Sequence, residues 1–541
     1  MRMSRFAAAA GAVALATALL LTGCATGDAP GSQDAGIVRV NGAEPANPLI
    51  PADTVDAGGE RIIDALFSGL VYYDSTGAVV NDVAESIEAS PGNKVFTITI
   101  NAGTKFTDGT DVTSGSFVDA WEWAALASNE TADRASFSEI FGYRADKDVS
   151  LVDSGGLVVV DSLTFQVHLA APLPNFPQRL GLPEFRPLPT AFFDDPEAFG
   201  EAPIGNGPYM FDGPGAWQHG KRLELTVNPG YNGVRVPNNT GLTMLFYDSL
   251  DVAYVDLLAG NLDVLDTLPA SARATFKDEL GRRWLDQPLT RLQTITIPQR
   301  LAHLTKEEGA LRRSAISMAI DRATIIANVF GVSQAPAHDF ASPALSTYSD
   351  NLNGTERLDF NPDEAKQRWA DAEVINPWDG ATLEIAYDTQ SGDQAWAEAV
   401  ARSISLVLPI KATAVPYPTS DDLDAVIADR SIASAYATTI AAAYPDVFAF
   451  IAAPYTSKSP ANASQYASKD FDLLMKQGAL AATPADTAVS YQRAQQQLLA
   501  DLPAIPLWNS MVQAGYSERV DGVALDWQGL PLYFLIAKAA G

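Results

Sequence analysis

The 541-residue chain has few of the side chains that most catalytic and metal sites need. Its one cysteine, Cys24, excludes a disulfide framework within the chain. The four histidines, His168, His219, His303 and His338, are far apart and show no metal-ligand spacing. The motifs HExxH, GxSxG and Walker A are all absent from the sequence. These absences disfavour a metal-dependent enzyme and an enzyme with a nucleophilic serine.

Positive charge is also scarce. The chain has 36 lysines and arginines against 65 aspartates and glutamates, for a net charge of −29, and no basic run is present. Nucleic-acid binding depends on a basic surface, so that function class is excluded. The 47% hydrophobic and 19% charged residues are typical of a globular protein rather than a disordered one. The length is enough for roughly two to four domains.

The longest apolar run lies at the amino terminus. It extends from Phe6 to Leu21 and follows Arg2 and Arg5. A membrane-spanning helix needs roughly 20 apolar residues, so this shorter run predicts a secretory signal peptide over 1–23. The segment Leu21-Thr22-Gly23-Cys24 resembles the lipobox of bacterial lipoproteins, which implies cleavage before Cys24 and acylation of its sulfur. The alternative is an ordinary signal peptide followed by an incidental cysteine.

Residues 24–35 are rich in Ala, Gly, Asp, Pro and Ser, a composition that predicts a flexible tether. Two or more acyl chains on one residue are enough for stable anchoring to a membrane. The expected location is therefore the extracytoplasmic face of the cell membrane, with a globular protein held there through lipid on Cys24.

Hydrophobic periodicity predicts alternating strands and helices, which is typical of a multi-domain α/β protein. The predicted strands are 37–42, 96–100, 163–169, 383–387, 410–415 and 433–443. The predicted helices are 60–70, 117–127, 394–408 and 422–428.

Several short segments, in a fixed order, carry a family resemblance. They are FSGLV (67–71), VAES (83–86), KFTDGTDVT (105–113), AAPLPNF (170–176), PIGNGPY (203–209), AGNLDV (259–264), LRRSAISMAIDR (311–322) and YASKDFDLL (466–474). Together they resemble family 5 of the bacterial solute-binding proteins, the oligopeptide-, dipeptide- and nickel-binding receptors of ABC importers. Each segment alone is weak, whereas the ordered set covers most of the chain. Ile87 and Asn206 depart from the residues usual in that family, Trp and Thr.

The resemblance implies a periplasmic-binding-protein-like α/β fold with two lobes and one additional domain. The expected lobe one comprises 36–54, 186–300 and 516–541, and the additional domain is 55–185. Lobe two is expected at 301–515. Ligand would be enclosed between the two lobes, and no cofactor is expected.

The predicted strand 433–443 bears on the class of ligand. In peptide receptors of this family, an aspartate just before a tyrosine pairs with the ligand's α-ammonium group. The resemblance aligns that aspartate with Ala443, before Tyr444, so the ammonium partner does not carry over. Backbone groups of the strand remain able to pair with an extended peptide by β-augmentation. The predicted ligand-binding residues are Thr439, Ile440, Ala441, Ala442, Tyr444, Asp446, Asn206 and Trp527.

Three of these residues have a second interpretation. Asp446 binds a ligand cation, or it caps a following helix. Asn206 contacts ligand, or it is a left-handed turn residue between two glycines. Trp527 lines the pocket, or it is a core aromatic. The charged pairs Arg312-Arg313 and Asp321-Arg322 are predicted to be surface or helix-capping residues.

The expected function is that of a monomeric extracytoplasmic receptor that closes around a peptide and delivers it to an ABC permease. Because Ala443 replaces the family's aspartate, a sugar, a metal chelate or a modified peptide stays open as the ligand. A surface-anchored hydrolase and a scaffolding lipoprotein without ligand are the alternatives from other classes.

Overall fold

A computed structural model describes residues 36–538. The predicted signal peptide, the tether and Cys24 lie outside the described residues. Within 36–538 the strands are β1 Ile37–Gly42, β2 Val71–Tyr73, β3 Val79–Asn81, β4 Ala84–Ala89, β5 Val95–Ile100, β6 Leu157–Val159, β7 Thr164–His168, β8 Tyr209–Phe211, β9 Trp217–Gln218, β10 Arg222–Val227, β11 Gly241–Phe246, β12 Val264–Leu265, β13 Trp284–Thr296, β14 Gln334–Pro336, β15 Leu383–Asp388, β16 Ala412–Tyr417, β17 Ala435–Ala441, β18 Ala504–Tyr516, β19 Val520–Asp521 and β20 Ala537–Lys538.

The α-helices of the same residues are α1 Ala57–Leu66, α2 Ser114–Ala125, α3 Pro196–Glu201, α4 Leu250–Ala259, α5 Phe276–Leu280, α6 Lys306–Met318, α7 Arg322–Val329, α8 Pro362–Ile375, α9 Gln394–Val407, α10 Ser420–Ala428, α11 Val447–Tyr455, α12 Lys469–Ala479 and α13 Pro484–Asp501. None of these helices is both long and apolar enough to cross a membrane.

A mixed sheet of 12 strands organises the molecule, in the order β16-β15-β17-β13-β18-β12-β1-β11-β10-β8, with β14 and β9 paired at its sides. The long strands β13 and β18 run antiparallel and connect its two halves. Near Tyr516, β18 pairs with the short strand β12 of one half. At the opposite end of the pair, β13 pairs with β17 of the other half. Two extended strands therefore link the halves, a geometry suited to hinge motion.

A second sheet, in the order β4-β5-β7-β6, is formed entirely by residues 84–168. Helix α2 packs on it through Phe117 and Trp121, and both rings contact Phe165 of β7. Phe96 and Ile98 of β5 are buried, as the alternation of apolar and polar residues along this strand predicts. This sheet and helix have the aromatic core of a folded unit of their own.

The predicted strands and helices are confirmed with small differences at their ends, and the largest difference concerns the first helix. Helix α1 ends at Leu66, so Phe67 and Leu70 lie beyond it and not on its apolar face. Phe67 is extended (φ −123°, ψ 144°). Ser68 follows, and both its backbone N–H and its C=O are hydrogen-bonded to the side chain of Asn206. A partner distant in sequence thus ends the helix one turn early.

The prediction that Arg312, Arg313 and Arg322 are surface or capping residues is wrong, since all three are buried. Arg312 donates to Glu308 and Glu373 and stacks over Trp369, 4.4 Å from the ring centroid. Arg313 and Arg322 instead donate to backbone carbonyl oxygens that come from distant segments. Asp321 does cap α7, because its side chain accepts from the N–H of Thr324.

Candidate ligand-binding cleft

The first part of the cleft is a pocket of about 580 Å³ along β17. One wall is the strand itself, from Tyr436 to Ala441, and the other walls come mainly from α10, α11 and the segments 388–393 and 461–464. The neighbouring strand β15 pairs with β17 only at Ala435 and Tyr436. No strand of residues 36–538 pairs with that edge of 437–441, so it opens into the pocket.

The pairing with β13 determines which backbone groups face the pocket. The register is regular from Arg291↔Ala441 to Thr296↔Tyr436, and the N–H of Ala442 donates to the carbonyl oxygen of Thr290 at 3.0 Å. In an antiparallel pair, alternate residues direct their N–H and C=O groups to opposite sides. Ala442 faces β13, and therefore Thr439 and Ala441 direct their backbone groups to the open edge.

A second cavity of about 230 Å³ lies beyond the end of β17, at Ala443. Ala443 is exposed, and the other residues that line the cavity come from 60–186 and 526–530. The carboxyl groups that line the cavity belong to Glu60, Asp64, Asp133, Glu184 and Asp526.

One of these carboxylates is neutralised by arginines. Asp64 accepts from Arg186 at 2.8 Å and from Arg235 at 3.3 Å, and Arg235 also pairs with the buried Asp82 at 3.1 Å. Burial alone would raise the pKa of Asp64, but the two guanidinium groups outweigh it and hold that pKa below its usual value. The two arginines and the two aspartates balance one another in charge.

The remaining four carboxylates of the cavity, those of Glu60, Asp133, Glu184 and Asp526, form no ion pair with any residue of 36–538. Glu184 is 5% exposed, and burial together with the charges of Asp133 and Glu60 raises its pKa to about 7. Burial, assisted by Asp133 and Asp56, raises the pKa of Glu60 to about 7 as well. Burial also raises the pKa of the half-buried Asp526 to about 7.

Of the predicted site residues, Thr439, Ile440 and Ala441 line the pocket along β17. Ala442 is buried and faces β13. Tyr444 is buried under Arg179, whose guanidinium lies 4.7 Å from the ring centroid. The structure thus places three of these five neighbouring residues in the pocket and directs the other two into contacts within the protein.

Asp446 is the N-cap of α11, as one of its two interpretations predicts. Its Oδ1 accepts from the N–H of Phe448 at 2.7 Å and from Nδ2 of Asn175 at 3.2 Å. Burial raises its pKa to about 6, although the bonds from Phe448 and Asn175 and the charge of Arg179 oppose the shift. With Arg179 and Tyr444, these contacts connect the segment after β17 to residues 175–179.

The interpretation of Asn206 as a left-handed turn residue is wrong. Asn206 is absent from the residues of 36–538 with positive φ, and it is 1% exposed. Its Oδ1 accepts from the N–H of Ser68 and its Nδ2 donates to the C=O of Ser68, both at 3.0 Å. The adjacent Gly205 and Gly207 are required because a Cβ at either would lie within 2.5 Å of the Leu66 backbone. The Gly-Asn-Gly sequence therefore allows the backbone of residues 205–207 to approach the backbone of Leu66 closely.

Trp527 lies in the core, edge-on against Tyr73 at 5.6 Å between centroids, and is 1% exposed. Its neighbours Asp526 and Gln528 line the cavity at Ala443. No local motif singles out Glu184 or Asp526. The one signal in the sequence is a glutamate enclosed by apolar residues in Leu182-Pro183-Glu184-Phe185, which is unusual for an exposed turn.

Comparison with known proteins decides the family. The sequence model of the bacterial extracellular solute-binding proteins, family 5 (middle region), matches residues 78–462. The chain belongs to this family. Its members are extracytoplasmic receptors that bind solutes, as the resemblance implied.

Relatives in family 5 align with much of the chain. The oligopeptide-binding protein OppA of Bacillus subtilis is 24% identical over 337 residues, which are 57% of this chain and 56% of that protein. The periplasmic oligopeptide-binding protein OppA of Salmonella typhimurium is 26% identical over 492 residues, 87% of this chain and 86% of that protein.

The solved structure of MppA, a periplasmic murein tripeptide binding protein in its unliganded open form, superposes with a TM-score of 0.84. The two chains are 20% identical, and the match covers 93% of this chain and 97% of that one. This likeness confirms the periplasmic-binding-protein fold with its additional domain.

Proposed function

We propose that this protein is the peptide receptor of an ABC importer. The observation that carries the proposal is the open edge of β17, which presents the backbone groups of Thr439 and Ala441 to a pocket of about 580 Å³. A strand edge binds an extended peptide through main-chain hydrogen bonds, and this mode accepts many side chains. It also needs no carboxylate at Ala443. Family membership supports delivery of the peptide to a permease.

The direct test is native mass spectrometry of the chain from Ala25 onward, purified without refolding. We expect bound masses that form a ladder of short peptides. A single non-peptide mass would contradict the proposal and assign the receptor to another ligand class. Hydrolysis of the bound peptides above a heat-inactivated control would contradict the further proposal that the protein is not an enzyme.

The open edge predicts the effect of one proline. Thr439→Pro removes an N–H that faces the pocket and leaves the ladder with β13 intact, and proline is tolerated at such an edge. One hydrogen bond contributes about 1 kcal/mol, so peptide affinity should fall about fivefold. Calorimetric titration with a copurified peptide measures the effect.

Thr439→Ala is the matched control, since it removes the side chain but keeps the N–H. We expect its affinity to stay within about twofold of wild type, because the threonine hydroxyl donates to Gln293 and not to the pocket. Equal dissociation constants for the proline and alanine variants would argue against β-augmentation.

We further propose that 1–23 are removed as a signal peptide and that lipid on Cys24 anchors the protein to the outer face of the membrane. Cys24→Ser should move the protein from the membrane fraction to the medium or periplasm, because the acylated sulfur is lost. Fractionation and immunoblotting measure this. A serine variant that stays in the membrane fraction would show that another feature anchors it.

The domain boundaries are also a proposal: lobe one at 36–54, 186–300 and 516–541, the additional domain at 55–185, and lobe two at 301–515. In support, the sheet β4-β5-β7-β6 falls wholly within 55–185, and β13 and β18 cross between the two halves of the large sheet. We propose a monomer without affinity for nucleic acid.

A further inference from the structure

The cavity at Ala443 combines a large negative charge with a space for ligand. It lies two residues beyond the open edge of β17, so it adjoins the pocket where an extended peptide would pair. Its volume of about 230 Å³ exceeds the space that a single ion needs and is sufficient for the end of a peptide or a side chain.

Glu184 is the most buried of the unpaired carboxylates in this cavity. It is 5% exposed, lines the cavity, and has no cationic partner among residues 36–538. The nearby Ser136 hydroxyl lowers the pKa of Glu184 but does not offset the effect of burial. A buried carboxylate without a counter-ion is costly, and the cost is relieved either by protonation or by a cation that pairs with it.

The neighbours of Glu184 do not supply that cation. Arg186, the arginine in the cavity wall, donates to Asp64 and to the carbonyl oxygen of Phe67. Arg179, nearby in sequence, stacks on Tyr444 and lies 3.6 Å from Glu139. The charged or titratable groups that line the cavity around Glu184 are Glu60 and Asp64 of α1, Tyr73, Asp133, Arg186 and Asp526.

We propose that this cavity binds an ammonium group of the peptide ligand and that Glu184 is its carboxylate partner. The inference rests on the proposed peptide binding and specifies which part of the peptide is recognised. The carboxylate is supplied by the turn Pro183–Phe185 rather than by the residue before Tyr444, and Asp526 contributes negative charge from the carboxy-terminal segment. An ammonium group enclosed between these residues exchanges its hydration for charge-assisted hydrogen bonds.

The source of the ammonium group is either the peptide amino terminus or a lysine side chain. The test therefore begins with the peptide from a tryptic digest of casein that native mass spectrometry finds bound most strongly. That peptide is synthesised in three forms: unmodified, N-acetylated, and with any lysine replaced by norleucine. Calorimetry then compares the three forms on wild type and on Glu184→Gln.

Loss of the ammonium group that occupies the cavity should weaken binding to wild type by about 30-fold, the usual effect of one charge-assisted hydrogen bond. Acetylation has this effect if the amino terminus is bound, and norleucine has it if lysine is bound. Glu184→Gln should bind the unmodified and the neutral form within about threefold of each other. The preference of the wild-type protein for the unmodified peptide over its neutral form should also weaken below pH 7, where Glu184 takes up a proton.

Two results would overturn the inference while peptide binding stands: wild type that binds all three forms equally, or Glu184→Gln that keeps the full discrimination. Absence of binding by every casein peptide would instead contradict the proposed function. Glu88→Gln is the matched control, because it removes one negative charge from an exposed position on β4 in the same part of the chain. It should keep the discrimination of wild type.

Discussion

Arg235→Met should lower the free energy of unfolding by about 3–5 kcal/mol, because it leaves the buried carboxylate of Asp82 without its counter-ion. Arg235 is 3% exposed and pairs with Asp82, whose side chain is fully buried, at 3.1 Å. Its other nitrogens donate to Asp64, to the carbonyl oxygen of Phe67 and to Oγ of Ser68. Urea denaturation of the unliganded protein measures the loss.

Two further variants distinguish this ion pair from a general effect of charge. Arg235→Met combined with Asp82→Asn should recover part of the stability, because no buried charge is left at position 82. Arg222→Met is the surface control: Arg222 pairs with Glu224 on the exposed side of β10, and its loss should cost less than about 1 kcal/mol. Equal losses for Arg235→Met and Arg222→Met would contradict the role assigned to Arg235.

The effect on the cleft follows from where Arg235 acts. It connects the end of α1 to Asp82, and α1 carries both Glu60 and Asp64 on the wall of the cavity at Ala443. Asn206 fixes Ser68 in the same junction. The arginine thus stabilises the wall that presents negative charge to the ligand. Its removal should weaken peptide binding only as a consequence of the lower stability of the folded protein.

Elements whose signal is local could be predicted from the sequence. Alternation in β5 and the apolar spacing of α9 each specify a face, since burial of that face is what forms the element. The proposed role of β17 as a ligand-binding strand could also be predicted, because the strand pattern and its resemblance to a ligand-binding strand are both local features of the sequence.

Features that depend on partners far along the chain could not be predicted. The early end of α1 is set by Asn206, which is 138 residues from Ser68. Arg322 is buried because the carbonyl oxygens of Pro506 and Leu358 accept its hydrogen bonds. The cavity at Ala443 is likewise formed by five separate segments, and only the fold brings Glu60, Glu184 and Asp526 to one space.

The same carboxylates predict how stability depends on pH. Folding raises the pKa of Glu184 from 4.5 to about 7, so the folded protein holds this proton more tightly than the unfolded chain does. The stability that comes from this difference is lost when Glu184 ionises in the folded protein. The unfolded chain gives up this proton near pH 4.5, so stability falls as the pH rises from there through about 7. The unliganded wild-type protein should therefore be more stable at pH 5 than at pH 8.

Glu184→Gln removes the contribution of this one residue and tests the assignment. A shift of this size corresponds to about 3 kcal/mol. The variant should gain stability relative to wild type by up to that amount between pH 5 and pH 8. Comparing the two proteins at each pH by urea denaturation cancels the effects of Glu60 and Asp526, apart from their coupling to Glu184.

Glu88→Gln again serves as the control and should differ from wild type by a nearly constant amount at the two pH values, since Glu88 is exposed. A constant difference for Glu184→Gln as well would contradict the buried, unpaired state of Glu184. If the difference in unfolding free energy between Glu184→Gln and wild type grows from pH 5 to pH 8, the ionised carboxylate in the empty cleft lowers the stability of the protein. An ammonium group bound there would relieve that cost. Peptide should then stabilise wild type more at pH 8 than at pH 5.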